Sequence, residues 1–500
     1  MSRLQRFVNR PIVAILAVGL LAGGLRFWHL SSPHERIFDE VYYPKAGCIL
    51  VGGTNAQCDV DSSDERYWRE HKWDVGSWTH PPLGKWMIGL GEKAFGFDSF
   101  GWRVSSAVVG TLTAMAVAMI AYLLFGSALW AFVAGLLLSV EGLSFVLSRT
   151  GLLDSFVAFW VTVGFLFLLL DRRWIGRRTP PEQRDERTPE DSDPQLVTPP
   201  VRVPSPLWRP WRFAAGVALG GAIATKWSGV LGLAAAVLLT IAWETTRRRR
   251  GQVGSGRAFA RALTRESFGI VAAFLLIPAI VYMATYLPWF NHFGWSLGLW
   301  WENQVAIWAY HRDLHWYQPA GGGATTPTHP WLSHAWTWLS MQRPVLFFAR
   351  YPGEDTRWIT TIGNPAIFWG ALWTLPYTAF AWWRRRDWRA SFILVAFAVQ
   401  YLPWFLVSRP QFFFYMAPMV PFLVLAAVFT ARDFADMRIE QRDPGTGAVL
   451  ERSTLHPYRP FVWGYVALAI ALFVFFFPVL TGAELSKTAW QLRVWLPGWT

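Results

Sequence analysis

The chain has 500 residues, is 53% hydrophobic, and carries 33 Trp and 37 Phe with a mean hydropathy of +0.25. That is too apolar and aromatic for a water-soluble globular protein, and it predicts an all-α polytopic membrane protein. The formal charge of +13 implies no nucleic-acid partner, because the basic residues fall in short runs between apolar stretches, as membrane orientation requires.

Arg3, Arg6 and Arg10 precede an apolar run that is long enough to cross a bilayer and lacks a small-residue cleavage pattern before Arg26. It reads as a retained first span with a cytoplasmic N-terminus. Ten further spans fall near 104–124, 128–147, 152–170, 212–225, 227–243, 268–288, 364–383, 390–407, 411–430 and 461–481, about 11 in all. Alternation then puts Arg172-Arg173, Arg247 to Arg250, Arg384 to Arg386 and the Arg-bearing loop 431–460 on the cytoplasmic side of a plasma-membrane protein. The whole chain, 1–500, is expected to be one membrane domain with two large external loops, 31–103 and 289–363, and an external tail, 482–500. Residues 171–211 read as a cytoplasmic linker. Its stretch Thr179 to Pro206, dense in Pro, Glu, Asp and Arg, is expected to be disordered and to carry no chemistry.

The first external loop holds Phe38-Asp39-Glu40-Val41, two adjacent acids just beyond the first span. It also holds both cysteines, Cys48 and Cys58, which could form a disulfide on the external side or stand as two free thiols. Thr79-His80-Pro81-Pro82 opens a helix in which Leu83, Trp86, Met87, Leu90 and Ala94 recur at helical spacing. That helix reads either as an interfacial anchor or, with His80 and Lys85, as part of a site wall. The second large loop is Trp-rich and contains His292, His311, His315, His329 and His334.

Four cations lie at predicted external turns: Arg103, Arg149 (with Asp154 nearby), Lys226 and Arg409. Any one could snorkel to head groups. Four at one depth, beside Asp39-Glu40 and His80-Lys85, suit a water-filled cavity for a lipid-linked phosphate. Sugar transfer from such a lipid needs one base for the acceptor proton and positive charge at the leaving phosphate, with no general acid.

Six stretches, FDEVYYPKAG (38–47), THPPLGKWMIGLG (79–91), GWRVSSAVVGTL (101–112), SRTGLLDSFVAFW (148–160), GVALGGAIATKWSGV (216–230) and RPQFFFYMAPMVP (409–421), carry a family likeness. The sequence resembles the protein O-mannosyltransferases, family 39 of the glycosyltransferases, whose membrane fold is called GT-C, and in particular their actinobacterial branch. The resemblance implies inverting transfer of mannose from polyprenyl-phosphate-mannose to Ser or Thr of secreted proteins at the outer face. It implies Asp39 as base beside Glu40, with Arg103 and Lys226 at the donor phosphate; Arg409 is added from topology. His80, Lys85, Arg149 and Asp154 would line the site. Eukaryotic members carry a His after the acidic pair, where Tyr42 and Tyr43 stand here, and a β-trefoil that the second loop is too short to hold. The secretion channel is a candidate partner. The residues single out no cofactor for certain; His80 with Asp39 or Glu40 leaves room for a divalent metal at the acidic loop. The rival readings are a GT-C transferase with another lipid-phosphate sugar or a glycan or lipid acceptor, and a flippase. A flippase predicts charges at the bilayer midplane, whereas these gather at one face.

Overall fold

The computed structural model describes residues 10–60, 77–178, 205, 207–249, 255–319, 325–446, 449–452 and 455–500. Each predicted apolar span overlaps a helix. The first half comprises α1 (Pro11–Phe27), α2 (Tyr43–Leu50), α3 (Leu83–Phe95), α4 (Ser99–Phe125), α5 (Ala128–Ser139), α6 (Gly142–Leu147), α7 (Leu153–Arg178), α8 (Pro210–Thr225) and α9 (Gly229–Arg249). The second half comprises α10 (Ser255–Val271), α11 (Ile277–Thr285), α12 (Leu297–Arg312), α13 (Ala371–Arg385), α14 (Trp388–Tyr401), α15 (Val420–Asp436) and α16 (Arg459–Thr481). Among the described residues, six helical stretches are long and apolar enough to cross a membrane: Ser99–Phe125, Leu153–Arg178, Gly229–Arg248, Gly256–Thr285, Trp388–Leu406 and Arg459–Thr481. The first two are 61% and 67% buried within the protein, the fourth only 22%. So α4 and α7 form the centre of the bundle, and α10 with α11 sits at its rim.

Two predicted spans are interrupted for local reasons. The 128–147 stretch breaks after Ser139 because buried Glu141 caps α6, accepting from the amides of Leu143 (3.1 Å) and Ser144 (2.7 Å). The 411–430 stretch becomes α-helical only at Val420; before it, Phe413–Met416 forms a 3₁₀ turn. Between α10 and α11, Ala272–Leu276 forms a π-helical turn. A side chain on Gly216 of α8 would collide with the Ala273 carbonyl there, so glycine permits this close helix contact.

Among the described residues the loops add three small antiparallel sheets that the apolar pattern does not reveal: β1 (Tyr317–Pro319) with β2 (Thr325–Pro327), β3 (Leu346–Arg350) with β4 (Asp355–Thr360) and, beyond β4, β7 (Glu484–Ser486), and β5 (Glu440–Arg442) with β6 (Val449–Arg452). Within the expected linker 171–211, helix α7 runs to Arg178 and residues 205 and 207–211 are described; the stretch expected to be disordered lies almost wholly outside the described residues, which omit 179–204 and 206. Here Arg209 bonds Asp171 (Nε to Oδ1, 3.0 Å) and Glu244 (2.6 Å). Arg212 bonds Glu266 (2.7 Å), to which Arg248 also donates (2.8 Å). These buried charges clamp α7, α8, α9 and α10 at the end of the bundle opposite the acidic pair. Isolated charges there would be prohibitively costly, and mutual pairing satisfies them.

Near the acidic pair, α2 crosses α3 so closely that a side chain on Gly89 would strike the Gly47 carbonyl. A disulfide joins Cys48 to Cys58, whose Cα atoms are 5.4 Å apart, tying the end of α2 to the helical turn Asn55–Cys58. Mass spectrometry of protein purified without reductant is expected to show the peptide joining Cys48 to Cys58. Free thiols there would contradict the bridge.

Candidate active site

The chain turns through Phe38–Val41 as a 3₁₀ helix entered from Phe38 at φ 48°. Left-handed backbone at a bulky residue is strained, and packing holds it: the Phe38 ring stacks on Phe347 of β3, with centroids 4.5 Å apart. Successive residues of a 3₁₀ turn point about 120° apart, so the two acids diverge. Glu40 is fully buried. Its Oε1 accepts from Arg103 Nε (2.8 Å) and the Gly151 amide (2.8 Å), and its Oε2 accepts from Arg103 Nη2 (2.7 Å) and the Ile37 amide (3.0 Å). Asp39 is only partly buried. Desolvation pushes its carboxyl up to about 7, with Lys226 opposing the rise and Asp154 adding to it.

Two sequence-based placements are corrected. Arg103 is not available to a donor phosphate. It is wholly buried, and besides Glu40 its remaining donors reach the carbonyls of Leu30, Pro33 and Glu35, so all five N–H groups are engaged. Arg149 does not line the site either. Its guanidinium caps the end of α1 through the carbonyls of Arg26 (2.8 Å), Trp28 (2.6 Å) and His29 (3.2 Å). Both arginines are scaffold: they fix the loop that leads into the acidic turn.

The remaining predicted residues do gather. Lys226, just past the C-terminus of α8, pairs with Asp154 in the first turn of α7 (2.9 and 3.1 Å). Each charge thereby lies at the helix end that favours it. The ammonium also faces the Tyr415 ring, 4.6 Å from its centroid. The Tyr415 hydroxyl accepts from Arg409 Nη2 (3.0 Å), and Arg409 Nη1 meets His311 Nδ1 (3.0 Å). His311 Nε2 meets the Thr79 carbonyl (3.0 Å). A carbonyl only accepts and a guanidinium only donates, so His311 is neutral with its proton on Nε2. Consistently, desolvation, then Arg409, holds it down to about 3. The His80 ring lies beside His311 (centroids 5.1 Å apart), and burial and the surrounding cations hold it well below its usual value. Lys85 is buried behind it, donating to the His80 carbonyl (2.7 Å), and desolvation lowers it to about 7.

Composition of the loops did not single out His311, one of five histidines in its loop, or Tyr415, inside a predicted span. Among the described residues, no three His, Cys, Asp or Glu side chains gather to hold a metal. Both Glu40 oxygens are already doubly bonded, so Glu40 does not fit as a ligand. The chamber is thus one partly exposed carboxylate, an ammonium, an arginine whose buried Nε has no hydrogen-bond partner among the described residues, and two neutral imidazoles. Such a set can take a proton from an acceptor while holding an anion.

Comparison with known proteins places the whole chain. The family model for dolichyl-phosphate-mannose-protein mannosyltransferase matches residues 16–181 and 203–294, and that for the C-terminal four TMM region of protein-O-mannosyltransferase matches residues 296–499. The chain is 32% identical to a Mycobacterium tuberculosis polyprenol-phosphate-mannose–protein mannosyltransferase, over 100% of this chain and 93% of that one. It is 34% identical to the Mycolicibacterium smegmatis protein of the same name, over 99% and 94%. Its fold matches the S. cerevisiae protein O-mannosyltransferase Pmt1-Pmt2 complex with a TM-score of 0.69 at 13% identity, over 98% of this chain and 92% of that one. The architecture is therefore the GT-C fold, and the chain belongs to the protein O-mannosyltransferase family.

Proposed function

We propose that the chamber transfers mannose from polyprenyl-phosphate-mannose to a Ser or Thr hydroxyl of a protein at the outer face of the membrane, with the N-terminus cytoplasmic. The observation that carries this reading is Asp39, whose carboxylate is tied by no hydrogen bond to any described residue, set within the electrostatic reach of Lys226, with Arg409 joined to the same Tyr415 that Lys226 faces. Asp39 takes the hydroxyl proton as the acceptor oxygen bonds the anomeric carbon. The bond from that carbon to the phosphate oxygen breaks, and the electron pair leaves with the phosphate. Lys226 has one N–H beyond the two directed at Asp154, and the Arg409 guanidinium adds its charge from the far side of Tyr415. Both stabilise the negative charge that develops on the leaving group. Attack from the side opposite the phosphate inverts the anomeric configuration. Glu40 acts by fixing the turn that aims Asp39.

Purified protein, given polyprenyl-phosphate-mannose and a Thr-containing peptide, is expected to yield a peptide bearing one hexose, with anomeric configuration opposite to the donor's by NMR. No transfer from this donor, with transfer from another lipid-linked sugar, would replace this reading with the wider GT-C alternative.

A further inference from the structure

An aromatic wall extends the chamber beyond the residues that the transfer step uses. The Phe414 ring faces the Lys226 ammonium, 5.6 Å from its centroid, and it also meets Phe38 (centroids 5.7 Å apart, 80° between planes) and Phe412 (5.4 Å, 10°). His329 completes this wall, meeting Phe38 edge-on (6.3 Å, 88°) and Phe412 likewise (5.0 Å, 85°). Phe38 is the residue before Asp39, so a histidine of the second large loop stands beside the acidic turn.

The tautomer of His329 is fixed locally. The Trp331 amide donates to its Nδ1 (3.2 Å), closing a tight turn as an Asx side chain would. Nδ1 therefore carries no proton, and the neutral ring bears its hydrogen on Nε2. Burial holds the ring below the usual histidine range, which keeps it neutral at pH 7. No described residue accepts from Nε2, and the ring is only partly buried. A rigidly held N–H is thus left over beside the proposed base.

The segment around it, Thr325 to Thr328 and Pro330, is exposed and open to a polypeptide arriving from water. A lipid-linked donor arrives from the bilayer, and its phosphate is matched by the charges of Lys226 and Arg409. A neutral N–H suits an uncharged carbonyl, and every residue of a polypeptide presents one. We propose that His329 Nε2 donates to a backbone carbonyl of the acceptor polypeptide beside its Ser or Thr, holding the hydroxyl against Asp39. The inference rests on the mannosyl-transfer reading above. Such an anchor contributes orientation of the reacting oxygen.

Two substitutions separate this role from packing. Asn places its side-chain oxygen near the position of Nδ1, so His329→Asn keeps the bond from Trp331 and loses the Nε2 donor. Gln places its amide nitrogen near the position of Nε2, so His329→Gln keeps the donor and gives up the turn. In purified protein with polyprenyl-phosphate-mannose and a Thr-containing peptide, His329→Asn is expected to raise peptide KM about five- to tenfold, with donor KM within about twofold and the unfolding midpoint unchanged. His329→Gln is expected to keep peptide KM within about threefold of normal at a lower midpoint. A structural role predicts the reverse order, with Asn normal and Gln impaired. That order, equal loss in both variants, or a rise in donor KM alone, which would make His329 a sugar contact, would each overturn the proposal. If the unaltered protein transfers no mannose to the peptide, the mannosyl-transfer reading fails and this inference with it; if it does and His329→Asn matches it, only this inference fails.

Discussion

Asp39→Asn is expected to lower turnover by about 10²–10⁴-fold, the usual worth of a positioned general base, while the protein still inserts and unfolds at its normal temperature. The substitution is nearly isosteric, and no hydrogen bond joins the Asp39 carboxylate to a described residue, so the fold loses nothing by it. Only the ability to accept a proton disappears. Lys226 and Arg409 remain, and donor KM should stay within a few-fold of the normal value. Single-turnover transfer measured on detergent-purified protein separates chemistry from binding. Turnover within about threefold of normal would remove Asp39 from the role of base. Asp154 cannot simply take over, because both its oxygens accept from Lys226.

Arg103→Met is expected to act through stability. Removing one member of a buried, hydrogen-bonded ion pair leaves the other charge without compensation and costs about 3–5 kcal/mol. In this case it strands the Glu40 carboxylate and frees the carbonyls of Leu30, Pro33 and Glu35. The unfolding midpoint in detergent should fall markedly, and the double variant Glu40→Gln with Arg103→Met should recover part of the loss, since no net charge is then buried. An Arg103 that held the donor phosphate would behave in the opposite way, with an unchanged midpoint and a raised donor KM.

These two residues mark how far the chemistry was legible in the sequence. Charge beside an apolar span is conspicuous, so Asp39, Glu40, Lys226 and Arg409 could be selected as unusual and assigned to one end of the bundle. What a side chain touches there is set by contacts distant in sequence. Arg103 and Arg149 look like Lys226 by charge and depth, yet each is enclosed by carbonyls from the segment around residues 25–35, which no local pattern reports. The reverse holds for His311 and Tyr415. Nothing near His311 distinguishes it from the other histidines of its loop, and the Phe-Phe-Phe-Tyr run hides Tyr415 in what reads as a continuous span. Pro418 and Pro421 were the available signal there, because proline favours the first turn of a helix and places the start of α15 later than hydropathy does. The buried ionic clamp joins Asp171, Arg209, Glu244 and Glu266 across a segment whose composition suggests only a linker. Its described ends, Asp171 and Arg209, are held to each other and to partners on α9 and α10.

The most direct measurement of the central claim, that Asp39 is the base, is the pH dependence of kcat/KM for transfer. A base works only when deprotonated, and burial has raised this carboxyl from 3.8 to about 7. The rate should therefore be level above about pH 7.5 and fall tenfold per unit below about pH 6.5. Lys85 also titrates near 7, so the same acidic limb must persist in Lys85→Met. A limb centred near 7 in both proteins is the predicted result; a rate independent of pH from 5 to 8, or a limb that vanishes with Lys85, would contradict the assignment.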